Sequence, residues 1–568
     1  MWYLGIDFGT TGLSAVLCKA NTGEQYPIAW ALANQQGSQE SSFRLPVVVD
    51  GLSKTSIIAG EATQDINPPE ILLKQFKPYL KIGIPYYIPD QNYWEPCLQW
   101  SEQQQIPLYW LQKALQTLLM TLKPGQVEGP RPSVVGWTAE TLDLALNQLQ
   151  GVIFNCPAQW GEAYRFNIRE AVLAAQLVQH SDQIFFIEDA IASILAAFSS
   201  QPTAEIPNPL KPGTTLIISA GATTTELAIV NLPAQLENLT HDDFYFLSFP
   251  YAGNAIDQDI FCQLLLKDET FQASTINNLQ SLTFPVPGEP DLETRYRLQQ
   301  QIQNSQLGQT LLEAASYLKL ILQQQAEYTL NLGNCRWVLQ RQDLERQVIM
   351  PFLQKLNQAL NTLLSQAGLL GQSVVQVICT GGTAGCLSLQ QWFLQKLPHA
   401  TLIKDTHVST GNYAETAWLR VATGLATLPF YPQVLDQPQQ QYSDYFLLLE
   451  LLRSFPEQPL RESEIMLLLE RRGINTRTCY PRLIEILAGE LPSGLVPSEL
   501  EQTWLTPESL QNSLIQAIAA APLFSKAEDE RYHPNPQQAN LLRQYFNTLL
   551  SGCAQKLEEP LIANFNNL

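Results

Sequence analysis

Apolar and turn positions alternate over roughly the first 60 residues, a period-two pattern that predicts a β-meander. Its first unit is an apolar run from Leu4 to Phe8, a Gly9-Thr10-Thr11-Gly12 turn and a returning strand from Leu13 to Cys18. The Pro- and Trp-rich stretch from Asn67 to Pro107 shows no period. Apolar spacing predicts helices from Leu108 to Leu122 and from Thr138 to Leu149, then a buried strand from Gly151 that Pro157 stops. An amphipathic helix from Arg165 to Val178, a strand from Gln183 to Ile187 and a helix from Ala190 to Ser199 follow, before a proline-rich loop from Gln201 to Gly213. The opening design then returns: a strand from Thr215 to Ala220, the turn Gly221-Ala222-Thr223-Thr224, and a strand from Thr225 to Val230. A long helical region from Ile256 to Gln325 leads to a strand near Val374 that enters Cys379-Thr380-Gly381-Gly382-Thr383-Ala384-Gly385, with helices predicted from Leu387 to Leu397 and from Tyr413 to Leu428. Beyond Phe430 a Gln/Pro segment precedes helical periodicity only, from Asp444 to Leu550.

Composition narrows the classes. At 568 residues the chain exceeds what one core supports, and 45% hydrophobic with 15% charged residues is a folded composition. The formal net charge of −20 repels a phosphate backbone and argues against general nucleic-acid binding. Runs such as Gln103-Gln104-Gln105 and Gln323-Gln324-Gln325 sit inside apolar-periodic segments and are taken as solvated helix faces. Nine scattered cysteines without a Cys-x-x-Cys pair suggest buried thiols in a reducing compartment. The first strand begins without a basic and apolar leader, and no apolar run reaches membrane-spanning length, so the expected location is cytoplasmic with no membrane partner.

The repeated hairpin is the candidate chemistry. Gly9 lets backbone approach a ligand without a Cβ, and the turn offers successive N–H groups and the hydroxyls of Thr10 and Thr11 to phosphate oxygens. Asp7, at the strand end, is placed to hold Mg²⁺ through water, since Mg²⁺ is usually bound by one or two carboxylates plus phosphates. Two such hairpins facing each other would form a duplicated nucleotide clamp.

Taken in order, these segments resemble the nucleotide-binding half of the 70-kilodalton heat-shock (DnaK-type) chaperones, in the actin and sugar-kinase superfamily, over about residues 1–428. The resemblance implies an α/β chain with a duplicated actin-like (ribonuclease H-like) ATPase fold in two lobes, 1–200 and 201–428, then a linker at 429–441 and an all-α C-terminal domain at 442–568. It implies ATP or ADP with Mg²⁺ as ligands. Asp7, Gly9, Thr10 and Thr11 match the first phosphate motif. Lys74 resembles the lysine that reaches the γ-phosphate, and Asn155-Cys156-Pro157-Ala158 with Arg165 is similar to the Val-Pro-Ala segment and its helix. Glu188 falls on the carboxylate that positions metal and water. Gly221 and Thr224 remain from the second phosphate motif. Gly253, Lys319, Gly381, Gly382 and Thr383 fall on positions around the nucleoside.

Departures from the family pattern limit the activity expected. Ser219 stands where the second phosphate motif begins with Asp, keeping a hydrogen bond but no charge. Ala222 and Thr223 replace two glycines; Ser316, Leu320, Gln323 and Gly385 replace polar or stacking contacts to the base. Losing one preorganised electrostatic contact typically costs roughly 10²- to 10³-fold in rate. The resemblance therefore implies a chaperone-like or regulatory nucleotide switch with weak or absent ATP hydrolysis, acting on a protein client or partner held by the helical tail. A catalytically dead scaffold is the alternative, with a filament protein or small-molecule kinase of the same superfamily as further alternatives. The tail lacks the alternating strands of a peptide-holding sandwich. Its unit from Glu462 to Leu487, with Arg471, Arg472, Arg477 and Arg482 around a Gly473 turn, has helix-turn-helix spacing but acidic surroundings.

Overall fold

The computed structural model describes residues 1–33, 39–50, 58–59, 72–123, 129–199, 210–266, 283–333, 335–404 and 419–562. The segment 67–71 ahead of Lys74, the stretch 201–209, residues 267–282 and the start of the last predicted helix before the tail (413–418) lie outside them.

The period-two segments build two mixed sheets, so the chain is an α/β protein. In the first, β1 (Trp2–Phe8), β2 (Gly12–Lys19), β3 (Gln25–Ala33), β4 (Leu149–Asn155) and β5 (Ile184–Ile187) lie in the order β3-β2-β1-β4-β5. The second contains β6 (Gly213–Ala220), β7 (Thr225–Leu232), β8 (Phe244–Phe249), β9 (Gln376–Thr380) and β10 (Thr401–Lys404), in the order β8-β7-β6-β9-β10. Pairing senses also match. Each begins with a three-strand antiparallel meander whose first two strands are joined by a tight turn, and its last two strands run parallel after long crossovers. The hairpin repeat seen in sequence is thus part of a five-strand repeat.

Strand alternation decides which side chains each face buries. Leu4, Ile6 and Phe8 point to an outer core covered by α1 (Leu108–Met120) and α2 (Glu162–Ala174). Leu216, Ile218 and Ala220 face a second outer core under α4 (Gly253–Ile260), α5 (Leu292–Gln303), α6 (Gln306–Gln324), α7 (Met350–Gln366) and α8 (Leu387–Lys396). The inner faces, with Tyr3, Ile153, Ile217 and Ile378, share one core. Into it are packed two short apolar helices, α3 (Asp189–Leu195) and α9 (Arg420–Thr427). Gly5 and Gly424 permit this: a Cβ on Gly5 would lie 2.5 Å from Ala422 O, and one on Gly424 only 1.7 Å from Ala192 O.

Several expectations need correction. The helix expected from Arg165 begins at Glu162, and Thr138 is an N-cap accepting from the Thr141 amide instead of a helical residue. The long helical region is interrupted: α4 passes into a π turn at Phe261–Leu265, and the described residues 283–291 are not helical before α5 begins at Leu292. The tail is mainly helical, with α10 (Asp444–Ser454), α11 (Glu462–Arg471), α12 (Thr476–Leu487) and α13 (Pro536–Leu550), but it is not all-α. Leu460–Arg461, Phe524–Lys526 and Arg531–Pro534 form a three-stranded sheet, whose strands of two to four residues are too short to show a period. Residues 429–441 are not an open linker: Val434 and Leu435 are buried in the inner core and Gln440 donates to Ile184 O at 2.8 Å. The tail core continues into Ile84, Tyr86 and Phe166, and the Glu170 carboxylate accepts from the Ala554 and Gln555 amides. Two of the helix-turn-helix arginines are spent internally, Arg472 on Glu450 and Arg482 on Asp444. No helix among the described residues is long and apolar enough to cross a membrane.

Candidate functional site

The repeated sheets bring their hairpin turns together. In each turn the first glycine donates to the carbonyl three residues on, Gly9 to Gly12 O at 2.9 Å and Gly221 to Thr224 O at 3.1 Å. Thr10 Oγ1 and Thr223 Oγ1 then meet at 3.0 Å across the gap, although they are 213 residues apart in sequence. Thr11 accepts from Arg44 at 3.0 Å, and the Arg44 side chain lies over Gly12, where a Cβ would come within 2.3 Å of Nε. A cation that the sequence did not single out therefore covers the first turn.

Beneath the turns runs a buried polar chain. Asn155, at the end of β4, accepts from the Phe8 amide at 2.8 Å and donates to Asp7 Oδ1 and Asp189 Oδ1, both at 2.9 Å. Ser219 Oγ donates to the second oxygen of Asp189 at 3.1 Å. Asp189 thus joins Asp7 on one side to Ser219 on the other. Glu188 occupies the preceding position and instead takes His241 Nε2 at 3.3 Å. Burial is the largest influence on the His241 ring and disfavours its charged form, but the Glu188 hydrogen bond and the charges of Glu188, Asp436 and Asp242 together outweigh it and raise the His241 pKa. The carboxylate within the chain of hydrogen bonds is one residue beyond the one selected from sequence.

Glu226 is the second group that sequence reasoning passed over. It pairs in register with Ser219 across β6 and β7, and its Oε2 accepts from the Ala158 amide at 3.1 Å. Oε1 is buried without a hydrogen-bond partner among the described residues. Burial, then the Asp189 charge, pushes the Glu226 carboxyl up to about 8, against the Ala158 amide and Lys77, which lower it. The same two causes raise Asp7 to about 6, opposed by Arg44 and Lys77. The signal for Glu226 was its place seven residues after Ser219, at the far end of the hairpin, where antiparallel pairing returns it to Ser219's side.

The buried cation is Lys77, not the predicted Lys74. Lys77 is 6% exposed in the turn after Phe76, with Nζ 5.7 Å from the Phe8 ring centre and 5.6 Å from that of Trp160. Lys74 is exposed and lines the cleft above. That cleft holds a cavity of about 610 Å³ between the Gln103–Gln104 segment and α6, with Glu313 and Ser316 on its wall.

The remaining predicted residues gather around Ala220 and Gly221. Thr383 Oγ1 and the Gly253 amide both donate to Gly221 O, at 2.7 and 3.1 Å, and the Thr383 amide donates to Ala220 O at 3.0 Å. Gly381 has φ +86°, and a Cβ there would sit 2.5 Å from Ala220 O, so only glycine fits this approach. Gly382 lies in the same turn, its carbonyl 3.4 Å from where a Cβ on Gly385 would be. Lys319 Nζ pairs with Asp257 at 2.7 Å and donates to Gly253 O at 3.2 Å, fixing the start of α4.

A pH effect follows from Glu226. Its folded carboxyl holds a proton up to about 8, whereas 4.5 is its ordinary value, so the folded state binds more protons between these limits. Stability from this group is greatest below 4.5 and is lost as pH rises through about 8. Glu226→Gln keeps an acceptor for the Ala158 amide and removes the titration. The variant should melt higher than the parent at pH 8 by a few degrees, with the gap closing towards pH 5, as thermal unfolding across that range will show.

The arrangement combines two facing phosphate-sized turns, a buried excess of carboxylates and one buried lysine. Among the described residues no cluster of three His, Cys, Asp or Glu could itself hold a metal ion. Family models compared with the chain give no match, and neither do the curated proteins.

Proposed function

We propose that this chain is a two-lobed, actin-like nucleotide clamp of DnaK type, binding ATP or ADP between the two repeated hairpins with weak or absent hydrolysis. The observation that carries this reading is the meeting of Thr10 and Thr223 at 3.0 Å, between the corresponding hairpin turns of two sheets with the same strand order. Turn amides and hydroxyls from both sides would cradle phosphate oxygens, as nests of successive N–H groups do. Gly381 to Thr383 and Gly253 supply close backbone on the side where the nucleoside would lie.

The residues also fit a magnesium–nucleotide complex. Asp7 and Glu226 are carboxylates whose pKa values are raised by burial and by the charge of Asp189, and Glu226 Oε1 lacks a partner among the described residues. A bound cation would relieve both. Asp7 would hold it through water, supported by Asn155 and Asp189, and Mg²⁺ would supply charge neutralisation between phosphate oxygens. Ser219 contributes a hydroxyl already committed to Asp189, with no charge of its own. This is the support for slow or missing hydrolysis, and for the scaffold reading as the alternative.

Closure of the lobes on a ligand would be felt by the tail, which packs against α2 and reaches a cavity adjoining the cleft through Trp504. Calorimetry and thermal unfolding with Mg-ATP and Mg-ADP test the clamp. Saturable binding with a rise in Tm of several degrees is expected. No shift at millimolar nucleotide would leave the scaffold reading in its place.

A further inference from the structure

Adjoining the cleft, and sharing Lys74, Gln75, Trp100 and Asn254 with it, lies a second cavity of about 310 Å³ whose further walls have a different chemistry. Tyr79, Trp100 and Trp160 form its walls on the side of the first sheet, Tyr296 of α5 lies opposite, and Trp504 of the tail closes it. These rings brace one another edge-on: Tyr79 lies 5.4 Å from Trp100 and 5.9 Å from Trp504, and Trp504 lies 6.2 Å from Tyr296. The tail is tied in place by main-chain bonds from the Gln99 amide to Trp504 O at 2.9 Å and from the Thr506 amide to Cys97 O at 3.0 Å. The aromatic box is therefore preformed.

Its polar lining is one-sided. The chain has 53 acidic against 33 basic residues, yet no Asp or Glu is among the described residues lining this cavity, whereas Lys74, Lys81 and Arg295 are. Arg295 is spent on buried Asp259 at 2.9 Å. Lys81 is not: its Nζ sits 5.4 Å from the Trp160 ring centre and 5.7 Å from that of Trp504. The Glu501 charge acts on it from beyond salt-bridge distance, and no described carboxylate comes closer than that limit. Side-chain amides of Gln159, Gln299 and Asn254 add polar groups to the lining, while buried Gln258 is spent on Arg295 and Gln299. Thr223 and Thr224 form one end, so the cavity opens onto the second phosphate turn.

The geometry points to a binding site for a small hydroxylated ring compound carrying one negative group, of the size of a phosphorylated or carboxylated monosaccharide. Flat C–H faces pack on indole rings, hydroxyls suit the amides, and an anion would pair with the half-buried Lys81 ammonium. A cavity of this volume with apolar walls and a few convergent polar groups is typical of small-molecule sites. The site does not depend on the nucleotide reading, since every group used is in place without one.

Isothermal titration of the full chain without nucleotide tests it, with glucose 6-phosphate, glucuronate, glucose and inorganic phosphate as probes. Saturable binding of glucose 6-phosphate or glucuronate is expected, at least about tenfold tighter than glucose, and which of the two binds identifies the anion. Binding should be lost in Lys81→Met and weakened in Trp504→Phe, which keeps an aromatic ring in the tail. Failure of both anionic sugars at millimolar concentration, equal binding of neutral glucose, equal binding of inorganic phosphate, or full binding by a folded Lys81→Met protein would each overturn the proposal. Failure here with retained Mg-ATP binding would leave the clamp intact.

Discussion

Gly424→Ala should destabilise the protein by about 3 kcal/mol or more, at the upper end of what overpacking costs, although the same change in an exposed helix stabilises by about 1 kcal/mol. The sign is set by Ala192. A Cβ at Gly424 would fall 1.7 Å from its carbonyl oxygen and 2.4 Å from its carbonyl carbon, both backbone atoms of α3. A flexible neighbour could move aside, but α3 cannot. It lies in the inner core between the two sheets, and α9 is held against β1 where Gly5 lets Ala422 O and Ala426 N approach. Gln25 adds bonds to Thr423 O at 3.2 Å and Thr427 Oγ1 at 2.8 Å, and Arg420 Nε donates to Ser193 O at 3.1 Å. Pushing α9 outward would thus strain both sheets at once. Gly552→Ala, where a Cβ meets nothing within 4 Å, is the matched control and should leave Tm within about 1 °C of the parent. A Gly424→Ala protein as stable as this control would show that the sheets do not close on the two helices as described.

This close approach was invisible in the sequence. An apolar octapeptide from Arg420 has helical periodicity, but nothing in its pattern says that its partner is a helix more than two hundred residues earlier. The strands were legible because each meander is local: tight turns at Gly9 and Gly221 join strands whose alternation is set by one buried and one inner face. The site was legible where backbone geometry demanded a residue type. Gly381, at φ +86° against Ala220 O, is such a position, and so is Gly253 beside Thr383 Oγ1. Charged groups were placed less well, because a motif fixes order along the chain and not which side chain faces inward. One step along the start of α3 separates Glu188, which holds His241, from Asp189, which holds Asn155 and Ser219. One turn separates exposed Lys74 from buried Lys77. Glu226 was missed because the loss of charge at Ser219 was judged on its own strand, without the residue that antiparallel pairing sets opposite. In the tail, strands as short as Leu460–Arg461 carry no period, and the role of Trp504 depends on a main-chain bridge to Leu98–Gln99 that no local pattern encodes.

The exchange of lysines leads to the larger functional expectation. Lys77→Met should reduce Mg-ATP affinity by about 100-fold, close to the 3 kcal/mol at the lower end of what unpairing a buried charge costs. Lys74→Met should reduce it less than about tenfold, as expected of a solvated cation. Lys77 lowers the pKa of both Asp7 and Glu226, and it is the one buried lysine among the described residues. Under the proposed clamp, the pocket without it would keep its carboxylates and lose the charge that offsets a bound polyphosphate. Methionine suits the vacated space between Phe8, Trp160 and Tyr164, rings whose centres lie 5.6–5.8 Å from Nζ, so the variant should fold. A second consequence separates electrostatics from packing: with the cation gone, Asp7 and Glu226 should both titrate higher than in the parent, and the residual nucleotide binding should strengthen as pH falls from 8 to 6. Titration calorimetry of both variants at these two pH values decides the matter. The opposite ranking, with Lys74→Met the weaker binder, would place the phosphate-facing cation in the open cleft and return the site to the arrangement expected from the motif.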